Sequence, residues 1–225
     1  MVSTSVSSRQ PKDFCMSVSL RDGVLGRIRN SRARAATFYG LCRSACITLA
    51  LRTHVRKWQQ VAQSGPPTWD VRNAIIARFI PAGSSVLDLG SGAQTLRAHL
   101  KPGCTYQPCD VVKSSPDVIL CDFNRGIYPD PGRRLDYVVC SGVLEYVRKP
   151  REFLKRVPAM ADNMILSYNP RMKGESKLQR LAKHWVNHLR QEALEKMLDD
   201  LGLTWKIINR REPNEIMYSI QQGPR

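Results

Sequence analysis

Between residues 84 and 93 the chain reads Ser-Ser-Val-Leu-Asp-Leu-Gly-Ser-Gly-Ala. An apolar run rises into Asp88 and breaks on Gly90 and Gly92. The pattern predicts a buried parallel strand over 86–89, a glycine turn, and a helix over roughly 94–100. Two glycines one residue apart allow backbone conformations closed to other residues and let a ligand approach the main chain. The free N–H groups that open the next helix would then face whatever sits in the turn. A Gly-x-Gly alone also marks ordinary turns, so its weight depends on the residues downstream.

The downstream pattern is ordered. A helix over 71–80 leads in, stopped by Pro81 and Gly83. A second strand, 105–109, ends at Asp110, about twenty residues beyond the glycines, where nucleotide-binding βαβ units place the acid that accepts both ribose hydroxyls. A third strand, 118–121, runs into Asp122-Phe123-Asn124. The fourth, 135–140, opens into Ser141-Gly142-Val143-Leu144-Glu145-Tyr146. A helix over 150–159, a strand over 164–168 and a helix ending at Gly202 come next. Strands over 204–208 and 215–220 close the chain. Alternating strands and helices with two strands in succession at the end imply an α/β fold, a mostly parallel sheet with an antiparallel addition. A dehydrogenase is excluded, because Leu96 and Arg97 stand where the third glycine of Gly-x-Gly-x-x-Gly belongs.

The 225 residues fit one domain plus an extension. The formal charge of +16 is uneven: up to Pro66, eleven Lys and Arg stand against Asp13 and Asp22 alone. Residues 1–30 are read as a basic, poorly ordered segment, 31–67 as an amphipathic helical extension and linker, and 68–225 as the main domain. The extension could cover the ligand cleft, contact a membrane face or polyanion, or serve as a transit peptide; an upstream start codon ahead of Met16 is a further alternative. No apolar run approaches the ~18–20 residues that span a bilayer, and a cytoplasmic location is expected. The seven cysteines include no Cys-x-x-Cys pair and are read as reduced, mostly buried thiols. No cluster has usable metal-ligand spacing.

Val86-Leu-Asp-Leu-Gly-Ser-Gly92, Asp110, Asp122-Phe-Asn124 and the Asp136…Gly142-Val-Leu-Glu145 segment together resemble the class I S-adenosylmethionine-dependent methyltransferases. Within these the chain is similar to the small-molecule branch related to ubiquinone and menaquinone methyltransferases. The resemblance covers about residues 68–220 and implies a Rossmann-like, seven-stranded sheet with a C-terminal antiparallel hairpin. It implies that Asp88 orients the methionine amino group or the glycine turn, and that Gly90, Ser91 and Gly92 face the methionyl part. Asp110 with Val111 would bind the ribose, Asp122 and Phe123 would flank the adenine, and Cys140, Ser141 and Gly142 would lie beneath the transferring methyl. Two departures stand out. Val112–Asp117 is too short for the helix usual between the second and third strands, and Tyr146 replaces a histidine common in relatives.

Methyl transfer from a sulfonium needs mainly a well-placed acceptor, and a general base only when the acceptor is a hydroxyl or an acidic carbon. The candidates are His188, Glu145 and Tyr168, with His184 nearby. His188 closes a Trp-Val-Asn-His stretch similar to one found near the acceptor in related enzymes. Asn169-Pro170 is read as a plain strand exit. The expected activity is transfer of a methyl group to a small-molecule or lipid- or sugar-linked acceptor. An RNA methyltransferase and a non-catalytic cofactor-binding protein that docks a partner through its basic arm remain as alternatives; nucleic acid is the less favoured partner.

Overall fold

The computed structural model describes residues 18–223, so the expectation for residues 1–17 lies outside them. The segment expected to be irregular up to residue 30 enters a helix at Val18. This helix, α1, spans Val18–Ala50 without a proline to stop it. Its last turns dock on the main domain: Ala45 and Thr48 are buried. The Ser44 and Thr48 hydroxyls reach the carbonyls of Ala182 and Leu181, at 2.9 and 2.8 Å. Arg148 then caps the helix end, donating to the carbonyls of Thr48 and Leu51 at 2.8 and 2.7 Å. Those carbonyls have no partner within the helix, and a guanidinium at that end also suits the dipole. A short α2, Val55–Ser64, follows, with the His54 ring accepting from the Lys57 N–H as its N-cap. Gly65 and Pro66 separate it from α3, Pro67–Ala77, which carries proline at its first position, where no N–H is needed.

The main domain is a seven-stranded sheet in the order β3-β2-β1-β4-β5-β7-β6. Its strands are β1 Ser85–Leu89, β2 Thr105–Asp110, β3 Ile119–Leu120, β4 Leu135–Ser141, β5 Ala161–Tyr168, β6 Leu203–Arg211 and β7 Glu215–Gln222. The first five pair in parallel, and β7 pairs antiparallel with both β5 and β6. Successive residues of β1 point to opposite faces. Leu87 and Leu89 pack with Phe153 and Leu154 of α4 (Pro150–Arg156) and with Leu194 and Leu198 of α6 (Gln191–Asp200). Val86 packs with Ile76 and Ile80 on the α3 side. Burying each of these large side chains contributes on the order of 1.5–3 kcal/mol.

Three expectations need correction. The helix expected over 94–100 is a 3-10 run, Thr95–His99. Gln94 is left-handed at φ 56°, and the residue before Pro102 is biased away from helix, so no full helix fits between. From the sequence no element is expected between the strand over 164–168 and the helix ending at Gly202, yet α5, Lys177–Ala182, forms there, opened by a capping box of Ser176 and Gln179. Finally, Cys109 and Cys121 are joined as a disulfide, with Cα atoms 6.2 Å apart. Register explains it: Cys109 pairs with Ile119 across β2 and β3, which brings Cys121 alongside.

Candidate functional site

At the carboxyl ends of β1, β2 and β4 lies a cavity of about 200 Å³. Gly90, Gly92, Asp110, Ser141 and Gly142 form its floor, while Thr53 and Trp58 reach it from the N-terminal extension. Two of the glycines are irreplaceable here. Gly90 sits at φ +72°, and a Cβ on it would run into Cγ2 of Val143. Gly142 sits at φ +66°, and a Cβ there would lie 2.5 Å from the Arg72 guanidinium. Both the turn and the space therefore require the absence of a side chain.

The three strand-end acids do different work. Asp110 braces the glycine turn, accepting the Gly92 N–H at 2.9 Å and the Val112 N–H at 3.0 Å. A carboxylate offers about four lone-pair sites, so acceptor capacity remains toward the cavity. Burial pushes its pKa up, against those backbone N–H bonds. Asp122 accepts the Thr53 hydroxyl at 2.8 Å and the Asn124 N–H at 3.1 Å, tying the extension to the floor. Asp88 points away from the cavity, on the Val86 side of β1, and accepts the Tyr106 hydroxyl at 2.6 Å. Burial raises its pKa to about 6, with Asp110 adding to the rise.

Arg72 of α3 lies beneath Gly142. It donates to Glu215 Oε1 and to the Ser141 carbonyl, each at 3.1 Å, and its Nε is buried without a partner. Glu215 also pairs with Arg211 at 3.1 Å. Arg72 also faces the Asp88 and Glu145 carboxyls, so its charge is shared among several acids under the floor. Beside it, Ser141 donates to Asn73, whose amide donates to Thr95.

Glu145 occupies the opposite wall. It is 1% exposed, yet lines the cavity. Its Oε1 accepts both N–H groups of Asn169, at 2.9 and 2.8 Å, while its Oε2 has no partner. Burial raises its pKa, and the Asn169 bonds oppose the rise. The loop over 185–188 clamps the main chain here: Val186 and Asn187 donate to the Glu145 carbonyl at 2.8 and 3.0 Å. Tyr146 accepts the Trp185 indole N–H at 3.1 Å and meets the Trp58 ring edge-on, centroids 4.6 Å apart.

Of the candidate cofactor contacts, Gly90, Gly92, Asp110, Val111, Asp122, Phe123, Ser141 and Gly142 line the cavity, whereas Asp88, Ser91 and Cys140 do not. Cys140 is fully buried on the Leu87 side of the sheet. Ser91 is buried with its hydroxyl unpartnered. Of the candidate bases only Glu145 reaches the cavity. Tyr168 is fully buried, donating to Asn187 at 3.1 Å. His188 lies outside the lining, its Nδ1 buried and unpartnered; burial, then the nearby cations Arg180, Lys177 and Arg171, lowers its pKa. His184 meets Thr48 at 2.7 Å and His54 ring to ring, in the contact between α1 and the main domain. Asn169, expected to be a plain strand exit, is a wall residue. Arg72, Thr53, Trp58 and Trp69 carry no motif and are invisible in the sequence. Among the described residues no group of His, Cys, Asp or Glu is placed to hold a metal, and no helix is long and apolar enough to cross a membrane.

A family profile described as a methyltransferase domain matches residues 69–206, more than half of the chain. The chain belongs to this methyltransferase family. No curated protein matches the sequence. Among solved structures, the methyltransferase is similar to the 1,6-didemethyltoxoflavin-N1-methyltransferase of Burkholderia thailandensis, which holds its substrate and S-adenosylhomocysteine. That match has a TM-score of 0.57 at 16% identity and covers 75% of this chain and 87% of the other. It is also similar to human N-acetylserotonin methyltransferase with S-adenosylmethionine, at a TM-score of 0.57 and 14% identity, over 75% of this chain and 56% of that one. A third is a methyltransferase from Aquifex aeolicus, with a TM-score of 0.54 and 13% identity, over 73% of this chain and 98% of that one. The Rossmann-like sheet with its terminal antiparallel strands is thus the fold of S-adenosylmethionine-dependent methyltransferases, and S-adenosylmethionine is the cofactor that the family and fold assign. The site fits it: a glycine cradle, a buried acid with spare acceptor capacity at the end of β2, and a guanidinium on the lining.

Proposed function

We propose that the protein binds S-adenosylmethionine across the carboxyl ends of β1, β2 and β4 and methylates a small molecule held under the N-terminal helices. The observation that carries this reading is the floor: Gly90 and Gly142, both at positive φ with no room for a Cβ, line one cavity together with Asp110 and Arg72. Asp110 would take the ribose hydroxyls, and Asp122 with Phe123 would flank the adenine. Arg72, on the lining with its Nε unpartnered, would suit the methionyl carboxylate. When bound, the cofactor supplies an activated methyl group, so the protein's task is to align an acceptor and exclude water.

Thr53 and Trp58 place the extension over the cavity, which supports the role of a cover. A cleft of about 200 Å³ favours a free small molecule over a lipid- or sugar-linked acceptor and over folded RNA. Cytoplasmic placement is the simplest setting for such an enzyme. Substituting Asp110→Ala tests the reading. Calorimetric titration with S-adenosylhomocysteine should show binding by the wild type and its loss in the variant, with the circular dichroism spectrum unchanged. Wild-type-like affinity in the variant would sink the ribose assignment.

A further inference from the structure

One wall of the cavity has a composition that the cofactor does not account for. Three aromatic rings from three separate segments converge there: Trp58 of α2, Tyr146 after β4, and Trp185 before α6. Beside them sits Glu145, one oxygen committed to Asn169 and the other buried without a partner. A buried carboxylate oxygen left without a partner forfeits its hydration with nothing in return, so a donor belongs there. The phenol of Tyr146 accepts from Trp185 and keeps its own proton for a further bond.

Flat apolar walls with one acceptor and one donor select a planar ligand that itself both donates and accepts. Three chemistries compete for the donor: an amine cation, an alkyl hydroxyl and a phenol-type hydroxyl. The cation is disfavoured, because the protein's own cations already cover the indoles. Lys57 lies 5.2 Å from the Trp58 ring centre, and Arg180 and Lys183 each lie 4.7 Å from that of Trp185. With Arg72 also close by, the surroundings stabilise an acceptor that becomes more negative as it reacts, not one that arrives positive. Acidity separates the other two. A phenol-type hydroxyl titrates near 10, whereas an alkyl hydroxyl is far less acidic, close to water. A carboxylate whose basicity is increased by burial assists the first far more effectively, because the proton-transfer gap is smaller.

We propose that Glu145 Oε2 receives the acidic hydroxyl of a planar aromatic acceptor seated against Trp58, Tyr146 and Trp185. This rests on the cofactor reading above. The acceptor proton passes to Glu145 as the acceptor oxygen bonds to the methyl carbon; the methyl–sulfur bond breaks with its electron pair staying on sulfur, and Glu145 later releases the proton to water. Trp58, contributed by the N-terminal helices, is then a specificity residue, although it lies outside the segment that the methyltransferase family shares.

The test uses the full chain loaded with S-adenosylhomocysteine and three probes on one ring system: 2-naphthol, 2-naphthylmethanol and 2-naphthylmethylamine. Calorimetry should find 2-naphthol bound at least about tenfold more tightly than the other two, a difference of about 1.4 kcal/mol. Glu145→Gln should remove that preference while still binding S-adenosylhomocysteine. Trp58→Leu, a change on the cover that leaves the buried Glu145 network in place, should weaken all three probes by a similar factor; this keeps the proposal testable should the Gln variant fail to fold. A preference for the amine or the alkyl alcohol, no binding of any probe, or probe affinities untouched by Trp58→Leu would overturn the acceptor assignment while leaving the cofactor reading intact. Failure to bind S-adenosylhomocysteine would instead overturn the cofactor reading, and this inference with it.

Discussion

The two sides of the cavity are built differently. The floor comes from strand ends and the turns just beyond them, with Gly90, Asp110 and Gly142 all close to a strand terminus. Its geometry follows from backbone conformation and short-range register. The roof and far wall come from segments far apart in the chain: Thr53 and Trp58 precede the main domain, and Asn169 and Trp185 lie beyond β5. Mainly side-chain contacts hold these together, such as Thr53 to Asp122 and Tyr146 to Trp185, with the Val186 and Asn187 N–H bonds to the Glu145 carbonyl beside them. A floor fixed by backbone suits a cofactor shared across a fold, whereas a roof fixed by side chains is free to follow the acceptor.

This contrast can be broken from either side. The largest effect is expected from Gly142→Ala on the floor. A Cβ at φ +66° and 2.5 Å from the Arg72 guanidinium combines backbone strain with overpacking. A loss of roughly 4 kcal/mol of stability is expected, read by urea denaturation, together with loss of S-adenosylhomocysteine binding. Next comes Arg72→Leu, which strips Glu215 of one of its two partners. The half-broken buried network should cost about 3 kcal/mol and lower the thermal midpoint.

Asp88 offers a pH test beneath the floor. Its ordinary pKa of 3.8 rises to about 6 on burial. Between those values the unfolded chain has released this proton and the folded chain still holds it. Stability should therefore fall by roughly 3 kcal/mol as pH rises through that window and level off above it. In Asp88→Asn, which keeps an acceptor for Tyr106, that decline should disappear from denaturation curves collected between pH 4 and 7.

The smallest effect belongs to the roof. Thr53→Val removes the hydroxyl that Asp122 accepts at 2.8 Å, a loss of about 1 kcal/mol. Limited proteolysis should then cut sooner between α1 and α2 while the main domain stays intact. Equal cleavage rates in variant and wild type would mean that Thr53 does not hold the cover.

The same contrast explains what the sequence revealed. The seven strands were legible because short strand-forming runs bounded by turn residues encode them locally, and the floor was legible because β1, β2 and β4 end in or beside Asp or Gly. Short polar signals are local too, though weaker: Ser176 and Gln179 spell a capping box for α5. What could not be read were pairings across long separations. Nothing near Trp58 announces Tyr146, and nothing near Asn169 announces Glu145. His188 misled for the complementary reason, since a resemblance in its local stretch carried no information about the direction of its ring. The Cys109–Cys121 bond likewise depends on the β2–β3 register, which spacing alone does not supply.

The cofactor cradle at the strand ends is the feature on which every other assignment depends. Its most direct test is calorimetric titration of the full chain with S-adenosylmethionine and S-adenosylhomocysteine, with NAD as control. Micromolar binding of the first two and none of the third is the predicted result. No binding of either, or binding of NAD as well, would contradict it and leave Gly90-Ser91-Gly92 as a turn that shapes the fold without serving a ligand.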